Sequence, residues 1–360
     1  MRVFILKPDA IGDFILASGC IRLIAREAGE ENLVLAVRSD VAQLARSQFP
    51  KALVLPLTLR EKRRILNVTT VNILHSLPSW LKMLGLRVDA ALCLRSMRAY
   101  LHTIWFYTPR ATRRIACQNL LLARPRVRRP AVENFVTRFF QPTLLPYPAP
   151  GKLPTDIEAN RSVASEFLGR EISDAEILPS LILPEPVPRS DRWLLCPFSS
   201  SLNKDYPAEK WATALQILAP ERGDSPLHLA AGASQQEQLA AFAQILREAG
   251  IQNLVIDPQK PLSDFLKSIA AARLVLTVDT AAAHMACALG SPAVIASAGH
   301  HPGVYAPYSP NGLQHWIMPP PKLRKGEWRE HTTPEILANA VRQILAPQLR
   351  TIPCSAPFCL

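Results

Sequence analysis

Long apolar runs, glycine-rich phosphate loops and completed sets of metal ligands are what this 360-residue sequence lacks. No stretch of 18 apolar residues is free of charge, which argues against a membrane-spanning helix. The opening residues, Met1-Arg-Val-Phe-Ile-Leu-Lys7, form no long apolar segment followed by a cleavage site, so the expectation is a soluble protein that stays in the cytoplasm. No Gly-x-Gly-x-x-Gly follows the first predicted strand, and no P-loop pattern occurs anywhere, which counts against dinucleotide and P-loop chemistry. The seven cysteines (20, 93, 117, 196, 287, 354, 359) are scattered, mostly within apolar segments, as reduced thiols of a cytosolic protein are. Cys354 and Cys359 are spaced C-x4-C, but no second pair or nearby histidine completes a ligand set, and no metal is expected.

What is present is a globular composition, 48% hydrophobic and 19% charged, in a chain long enough for two domains of ordinary size. Charge is uneven. Residues 1–150 hold 23 Lys and Arg against 9 Asp and Glu, whereas the remainder holds 18 against 20, so an anionic partner belongs with the first half.

The apolar pattern alternates between short buried runs and helical spacing. Val3–Leu6, Leu33–Val37, Leu53–Leu57 and Val88–Leu94 read as strands, with helices over Phe14–Ala28, Val41–Gln48 and Asn134–Phe140. Nine prolines between 142 and 188, around a helical segment at Asp156–Leu168, read as an interdomain connector. The rhythm then restarts with strands at Trp193–Cys196, Leu227–Ala230, Asn253–Ile256, Leu274–Val278 and Ala293–Ala296 and helices between them. A last helix starts at Thr332-Thr333-Pro334-Glu335 and runs to Leu345. This is an α/β chain of two doubly wound sheets, and ligands of such sheets sit outside the carboxyl ends of the strands.

Three post-strand turns carry candidate chemistry. In Lys7-Pro-Asp-Ala-Ile-Gly-Asp13, Asp13 starts a helix and is either a helix-end acid or a general base, with Asp9 a competitor on the same loop. Phe198-Ser-Ser-Ser-Leu-Asn-Lys204 offers hydroxyls and a lysine to a phosphate, and Gln236 and Glu237 stand where a ribose could be bonded. In Asp279-Thr-Ala-Ala-Ala-His284 a strand ends at a helix start whose N–H groups and dipole favour an anion, with His284 one turn in. Basic clusters at Arg60-Glu-Lys-Arg-Arg64 and from Arg95 and Arg98 through Arg129, interleaved with aromatics, admit nucleic acid, a membrane surface or a phosphorylated glycolipid.

These motifs, in this order, resemble glycosyltransferase family 9, which contains the ADP-heptose:lipopolysaccharide heptosyltransferases. The resemblance runs from residue 1 to about 346 and is most specific at Asp279-Thr280, His284 and Ala286-Cys-Ala-Leu-Gly-Ser-Pro292. It implies a GT-B architecture of two Rossmann-like domains about a central cleft: an acceptor domain over 1–170, a nucleotide-sugar domain over 171–330, a helix over 331–346 packing back on the first domain, and a tail, 347–360. It implies inverting transfer of heptose from ADP-heptose to the lipopolysaccharide inner core, with no cofactor, no essential metal and no nucleic acid, peripheral contact at the inner membrane being an option. Asp13 is then the base. Ser199, Ser200 and Lys204 hold the diphosphate, Gln236 or Glu237 the ribose, and Asp279, Thr280, Ala281 and His284 the sugar-phosphate end, while Arg60, Lys62, Arg63, Arg64, Arg95 and Arg98 meet the anionic acceptor. A different donor or glycan acceptor, and a non-catalytic relative that only binds nucleotide-sugar, stay open. The chain departs from the family at Ala281, usually glycine, and at Ala298-Gly-His-His-Pro302. No role is read for His300 or His301.

Overall fold

The computed structural model describes residues 1–58, 65–98, 100–120, 131–321, 323 and 326–346. Arg60, Lys62, Arg63, Arg64, Arg124, Arg126, Arg128, Arg129 and the tail 347–360 with Cys354 and Cys359 lie outside the described residues. The chain divides into two units, Met1–Ser180 with Gly303–Tyr305, and Leu181–Pro302 with Ala306–Leu360. The boundary falls ten residues beyond the expected one at 170.

The first unit holds strands β1 (Val3–Lys7), β2 (Leu33–Arg38), β3 (Leu53–Leu57), β4 (Arg87–Cys93), β5 (Arg110–Cys117) and β6 (Thr143–Leu145). All pair in parallel, in the order β3-β2-β1-β4-β5-β6. Helices cover such sheets on both faces, so the central strands read as unbroken apolar runs. All five residues of β1 are buried, and Pro56, which cannot donate to a ladder, sits in β3 at the sheet edge.

The second unit holds β7 (Trp193–Cys196), β8 (Leu227–Leu229), β9 (Leu254–Ile256), β10 (Leu274–Val278), β11 (Ala293–Ala296) and β12 (Gln314–Ile317), again all parallel, in the order β12-β11-β10-β7-β8-β9. Renumbered from its own first strand, this is the same topology as the first unit. Each sheet therefore reverses its winding once, beside β1 and β4 in one unit and beside β7 and β10 in the other, and the crevice at that reversal is where such folds take ligands.

Several elements differ from the sequence reading. β5, β6, β12 and the helices Ile65–Leu84 and Tyr100–Tyr107 were not expected. The proline-rich stretch is not a free connector: Thr143–Leu145 joins the first sheet, and the helix Thr155–Leu168 buries Ile157, Val163 and Phe167. Its first two amides, which no helical carbonyl can serve, donate to a distant tripeptide: Thr155 N–H to Gly303 O at 2.7 Å and Asp156 N–H to Val304 O at 3.1 Å. The helix Pro334–Leu345, expected against the first domain, buries Leu337, Ala338, Val341 and Ile344 in the core of the second unit with Trp211, Leu215 and Val294. Thr333 caps it by accepting from Ile336 N–H. Among the described residues no helix is long and apolar enough to cross a membrane.

The helix Ser18–Ala28 leans on the chain at 177–180 through small residues. Ser180 N–H donates to Ser18 Oγ at 2.9 Å, and a Cβ on Gly19 would stand 2.3 Å from Leu178 O and 2.4 Å from Ile177 O. Gly19→Ala gains helix propensity of about 1 kcal/mol, but it requires backbone to move in a packed interior, typically a cost of about 1–3 kcal/mol. A net loss of stability in denaturant melts is expected, whereas Gly151→Ala, whose added Cβ meets nothing nearer than 4.0 Å, leaves the transition in place.

Candidate active site

At the reversal point of the first unit the last residue of β1 is a lysine, and Lys7 is only 1% exposed. An ammonium in that position needs hydrogen-bond acceptors and opposite charge. Lys7 Nζ donates to Leu94 O, just past β4, at 2.7 Å, and lies 3.4 Å from Asp156 Oδ2 and 3.5 Å from Asp9 Oδ2. Burial alone would lower its pKa, but Asp156, Asp9 and Asp13 outweigh burial and raise it. Arg95 bonds the other oxygen of Asp9.

Asp13 sits half-buried in the first turn of the helix Ile11–Leu16. Burial first, and then the negative charge of Asp9, push its carboxyl up to about 7, with Lys7 and Arg95 opposing and Asp156 adding to the rise. Asp156 is itself raised by burial, with Lys7 countering. The Tyr305 hydroxyl is raised by burial and by Asp13, and so keeps its proton. A carboxyl that gives up its proton near neutral pH at the mouth of a ligand crevice is suited to general-base work.

In the second unit Asp279, directly after β10, is buried, and Thr280 caps the helix Ala281–Ala288 from extended backbone without a side-chain capping bond. The amides of the first turn therefore remain open for an anion. Ala281 begins the helix and is not among the residues with positive φ, so its methyl group imposes no backbone strain where the family usually has glycine. Lys204 Nζ lies 3.1 Å from Asp279 Oδ2 and 3.4 Å from Asp279 O. One side of the reversal point thus supplies a lysine, the other the acid that holds it.

The serine loop after β7 is internally bonded. Ser199 Oγ donates to Ser201 O at 2.7 Å and accepts from Ser201 N–H at 3.0 Å, Ser199 N–H donates to Asp205 Oδ1 at 2.7 Å, and Gln235 Nε2 donates to Ser199 O at 2.8 Å. Ser199 shapes the loop, while Ser200 is exposed. Trp328 Nε1 and the Arg329 guanidinium brace it from outside by donating to the carbonyls of Asn203, Asp205 and Leu202. Gln236 Nε2 donates to Ala231 O at 2.9 Å at the start of the helix Gln236–Glu248, and Glu237 is exposed beside it.

His284 is buried against Tyr308 and Trp316. Its Nδ1 is 3.1 Å from the Tyr308 hydroxyl, and the two rings stack with centroids 5.9 Å apart. Burial lowers its pKa to about 4, with Asp279 opposing and Lys204 adding to the fall, so the imidazole is neutral near neutral pH. Tyr308 is raised well above its ordinary value by burial. His300 and His301 lie in the loop after β11, where Gly299 and His301 have φ of 66° and 52°.

The structure gathers Asp13 with Arg95 in one unit, and Lys204 with Asp279, Thr280, Ala281 and His284 in the other. Arg98, expected at the acceptor face, is buried, and its Nη1 donates to Cys117 O at 2.8 Å and Arg95 O at 3.2 Å, so it supports the strand end. Lys7, Asp156, Asp205, Gln235, Tyr308 and Arg329 carry roles the sequence reading did not assign. Lys7 alone left a signal, a charge at the end of an apolar run.

The family model for glycosyltransferase family 9 (heptosyltransferase) matches residues 89–331. No curated protein matches the chain. Among solved structures, the E. coli heptosyltransferase WaaC with ADP is similar at 16% identity and a TM-score of 0.70, over 96% of this chain and 100% of WaaC. E. coli ADP-heptose lps heptosyltransferase II is similar at 14% identity and a TM-score of 0.65, over 96% and 98%. A family 9 glycosyltransferase of Veillonella parvula is similar at 12% identity and a TM-score of 0.68, over 95% and 96%. The two six-stranded parallel sheets are those of the GT-B fold. By the family model that covers most of its length, this chain belongs to glycosyltransferase family 9.

Proposed function

We propose that the protein transfers a heptose from ADP-heptose to the inner core of lipopolysaccharide, with inversion at the anomeric carbon and without an essential metal ion. The observation that carries the reading is the Lys204–Asp279 pair, 3.1 Å apart, beside the open helix start at Thr280. It offers a leaving diphosphate an ammonium group and backbone donors. Two of the similar structures were solved with ADP and with ADP-2-deoxy-2-fluoro heptose, which supports a nucleotide-sugar donor.

In this reading the acceptor hydroxyl attacks the anomeric carbon as the bond to the diphosphate oxygen breaks. The hydroxyl proton passes to Asp13, and the bonding pair leaves with ADP. Lys204, the Thr280 hydroxyl and the N–H groups of Ala281 and Ala282 take up the developing charge. The Asp279 carboxylate would repel a diphosphate, so its part is to hold Lys204 in place. His284 Nδ1 lies 3.1 Å from the Tyr308 hydroxyl, and this reading assigns the tautomer in which that hydroxyl donates to Nδ1 and Nε2–H is a neutral donor for the sugar-phosphate end. Ser200 assists at the diphosphate, Gln236 or Glu237 at the ribose, and Arg95 meets an anionic group of the acceptor. The enzyme works in the cytoplasm, where nucleotide-sugars are found. A different donor sugar is the second reading, favoured by the departure at Ala298-Gly-His-His-Pro302.

A screen of ADP-, GDP-, UDP- and dTDP-sugars by thermal shift, followed by ADP release with acceptor, tests the proposal. ADP-heptose is expected to give the largest shift and turnover, and preference for another nucleotide removes the heptose assignment.

Asp13→Asn is expected to lower kcat/KM by about 10²–10⁴-fold. In the unsubstituted enzyme kcat/KM should rise with pH to a plateau above about 7, the value to which burial and Asp9 push Asp13, and that limb should vanish in Asp13→Asn. Because the folded carboxyl titrates above its ordinary 3.8, it favours folding below about pH 4 and loses that contribution as pH rises through 7. Melts should therefore find Asp13→Asn more stable than the parent at pH 8 and equal to it at pH 4.

Lys204→Ala should reduce kcat by about 10²–10³-fold, the scale of one lost oxyanion donor. Steady-state kinetics that move only KM would instead assign Lys204 to ground-state binding.

A further inference from the structure

Lys204 stands on a slight scaffold. It ends a single turn of 3-10 helix, Leu202–Lys204, in which Lys204 N–H donates to Ser201 O at 2.8 Å and Asp205 N–H reaches Leu202 O only at 3.3 Å. Hydrogen-bond geometry in such turns is poor, so the turn needs ties from elsewhere. It is also open to water, with Leu202 72% exposed. Yet the lysine ammonium is held 3.1 Å from Asp279 Oδ2.

The ties come from two consecutive residues far along the chain. Trp328 Nε1 donates to Asn203 O at 3.1 Å, while Arg329 donates from Nε to Asp205 O at 2.9 Å and from Nη2 to Leu202 O at 2.6 Å. The carbonyls of the residues on either side of Lys204, and of the one before them, are thus all held by this pair. The pair is itself fixed. Trp328 is buried beside Tyr206, with ring centres 6.0 Å apart, the Tyr206 hydroxyl donates to Thr332 O at 2.7 Å, and Lys210 Nζ donates to Arg329 O at 2.6 Å. Gly326, with φ of 101°, turns the chain into this short helix, Trp328–His331, and its carbonyl accepts from Arg329 N–H at 3.2 Å.

We propose that Arg329, seated by Trp328, is a positioning residue for departure of the diphosphate: it holds the backbone on both sides of Lys204, so that the ammonium is aligned before the bond breaks. This rests on the transfer reaction proposed above. Arg329 acts through Lys204, because its Nε and Nη2 are committed to carbonyls. Misplacing a catalytic group by about 1 Å costs up to about 10²-fold in rate. Lysine is no substitute at 329, since an ammonium on a flexible stem lacks the rigid fork that reaches two carbonyls at once.

Kinetics of the full chain use whichever nucleotide-sugar the thermal-shift screen selects, well below the melting temperature of every variant. Arg329→Ala should lower kcat by about 10–100-fold with KM nearly unchanged, and Arg329→Lys should recover little of the loss. Trp328→Phe, which keeps the packing and drops the bond to Asn203 O, should show the same pattern at smaller amplitude. In a Lys204→Ala background, Arg329→Ala should cost nothing further, because residues that act as one unit do not add. The ligand-free protein gives a second readout. Competitive amine labelling with peptide mass analysis should find Lys204 reacting about threefold or more faster in Arg329→Ala, the scale of one hydrogen bond lost. Additive losses in the double variant, a change confined to KM, or unchanged labelling overturns the inference. If the parent turns over no donor, the transfer reading falls, and labelling alone decides whether Arg329 positions Lys204.

Discussion

An ammonium group with almost no access to water organises the first unit. Lys7 closes the central strand of its sheet, and its position obliges carbonyl and carboxylate oxygens to converge from Leu94, Asp9 and Asp156. Those groups come from three separate stretches of the chain, so the charge fixes how the turn after β1, the end of β4 and the helix Thr155–Leu168 meet. The acids gathered for the lysine have a second effect. They crowd Asp13, and the crowding with burial carries its carboxyl into the neutral range. The seating of the lysine and the raised Asp13 carboxyl thus arise from one cluster.

The second unit repeats the topology with opposite electrostatics. At its reversal point a buried acid, Asp279, holds a partly exposed lysine, Lys204, whereas in the first unit a buried lysine is ringed by acids. The same winding order presents carboxylates about a buried lysine in one unit and, in the other, a lysine–carboxylate pair beside the helix start at Thr280, whose dipole favours an anion. The fold supplies the positions, and side-chain identity decides whether a position accepts protons or stabilises an anion.

The sequence was most legible where burial is complete. β7 and β11 are unbroken apolar runs, β1 is apolar up to Lys7 and β10 but for Thr277, and the turns after β1, β7 and β10 could be singled out from order alone. It was least legible where polar groups are satisfied by distant partners. β5 contains Arg110, Arg113 and Arg114 and reads as a basic surface, yet Arg114 is buried, with its guanidinium bonded to Ala111 O and Pro109 O and covered by aromatic rings. Arg98 looked like an acceptor contact for the same reason. The Ser199 hydroxyl looked available to phosphate, but its own loop uses it. Asp156, far along the chain from Lys7, is joined to it by no periodicity, and the prolines around it resembled a linker.

Gly303–Tyr305 belongs to the first unit although its neighbours on both sides belong to the second. The first unit is therefore not a contiguous cassette. A recombination event that exchanged residues 1–180 between relatives would leave behind the tripeptide whose carbonyls seat the helix bearing Asp156. Divergence of the two halves is tied together at this point, and a chimera that ignores it inherits an unfinished helix end beside its buried lysine.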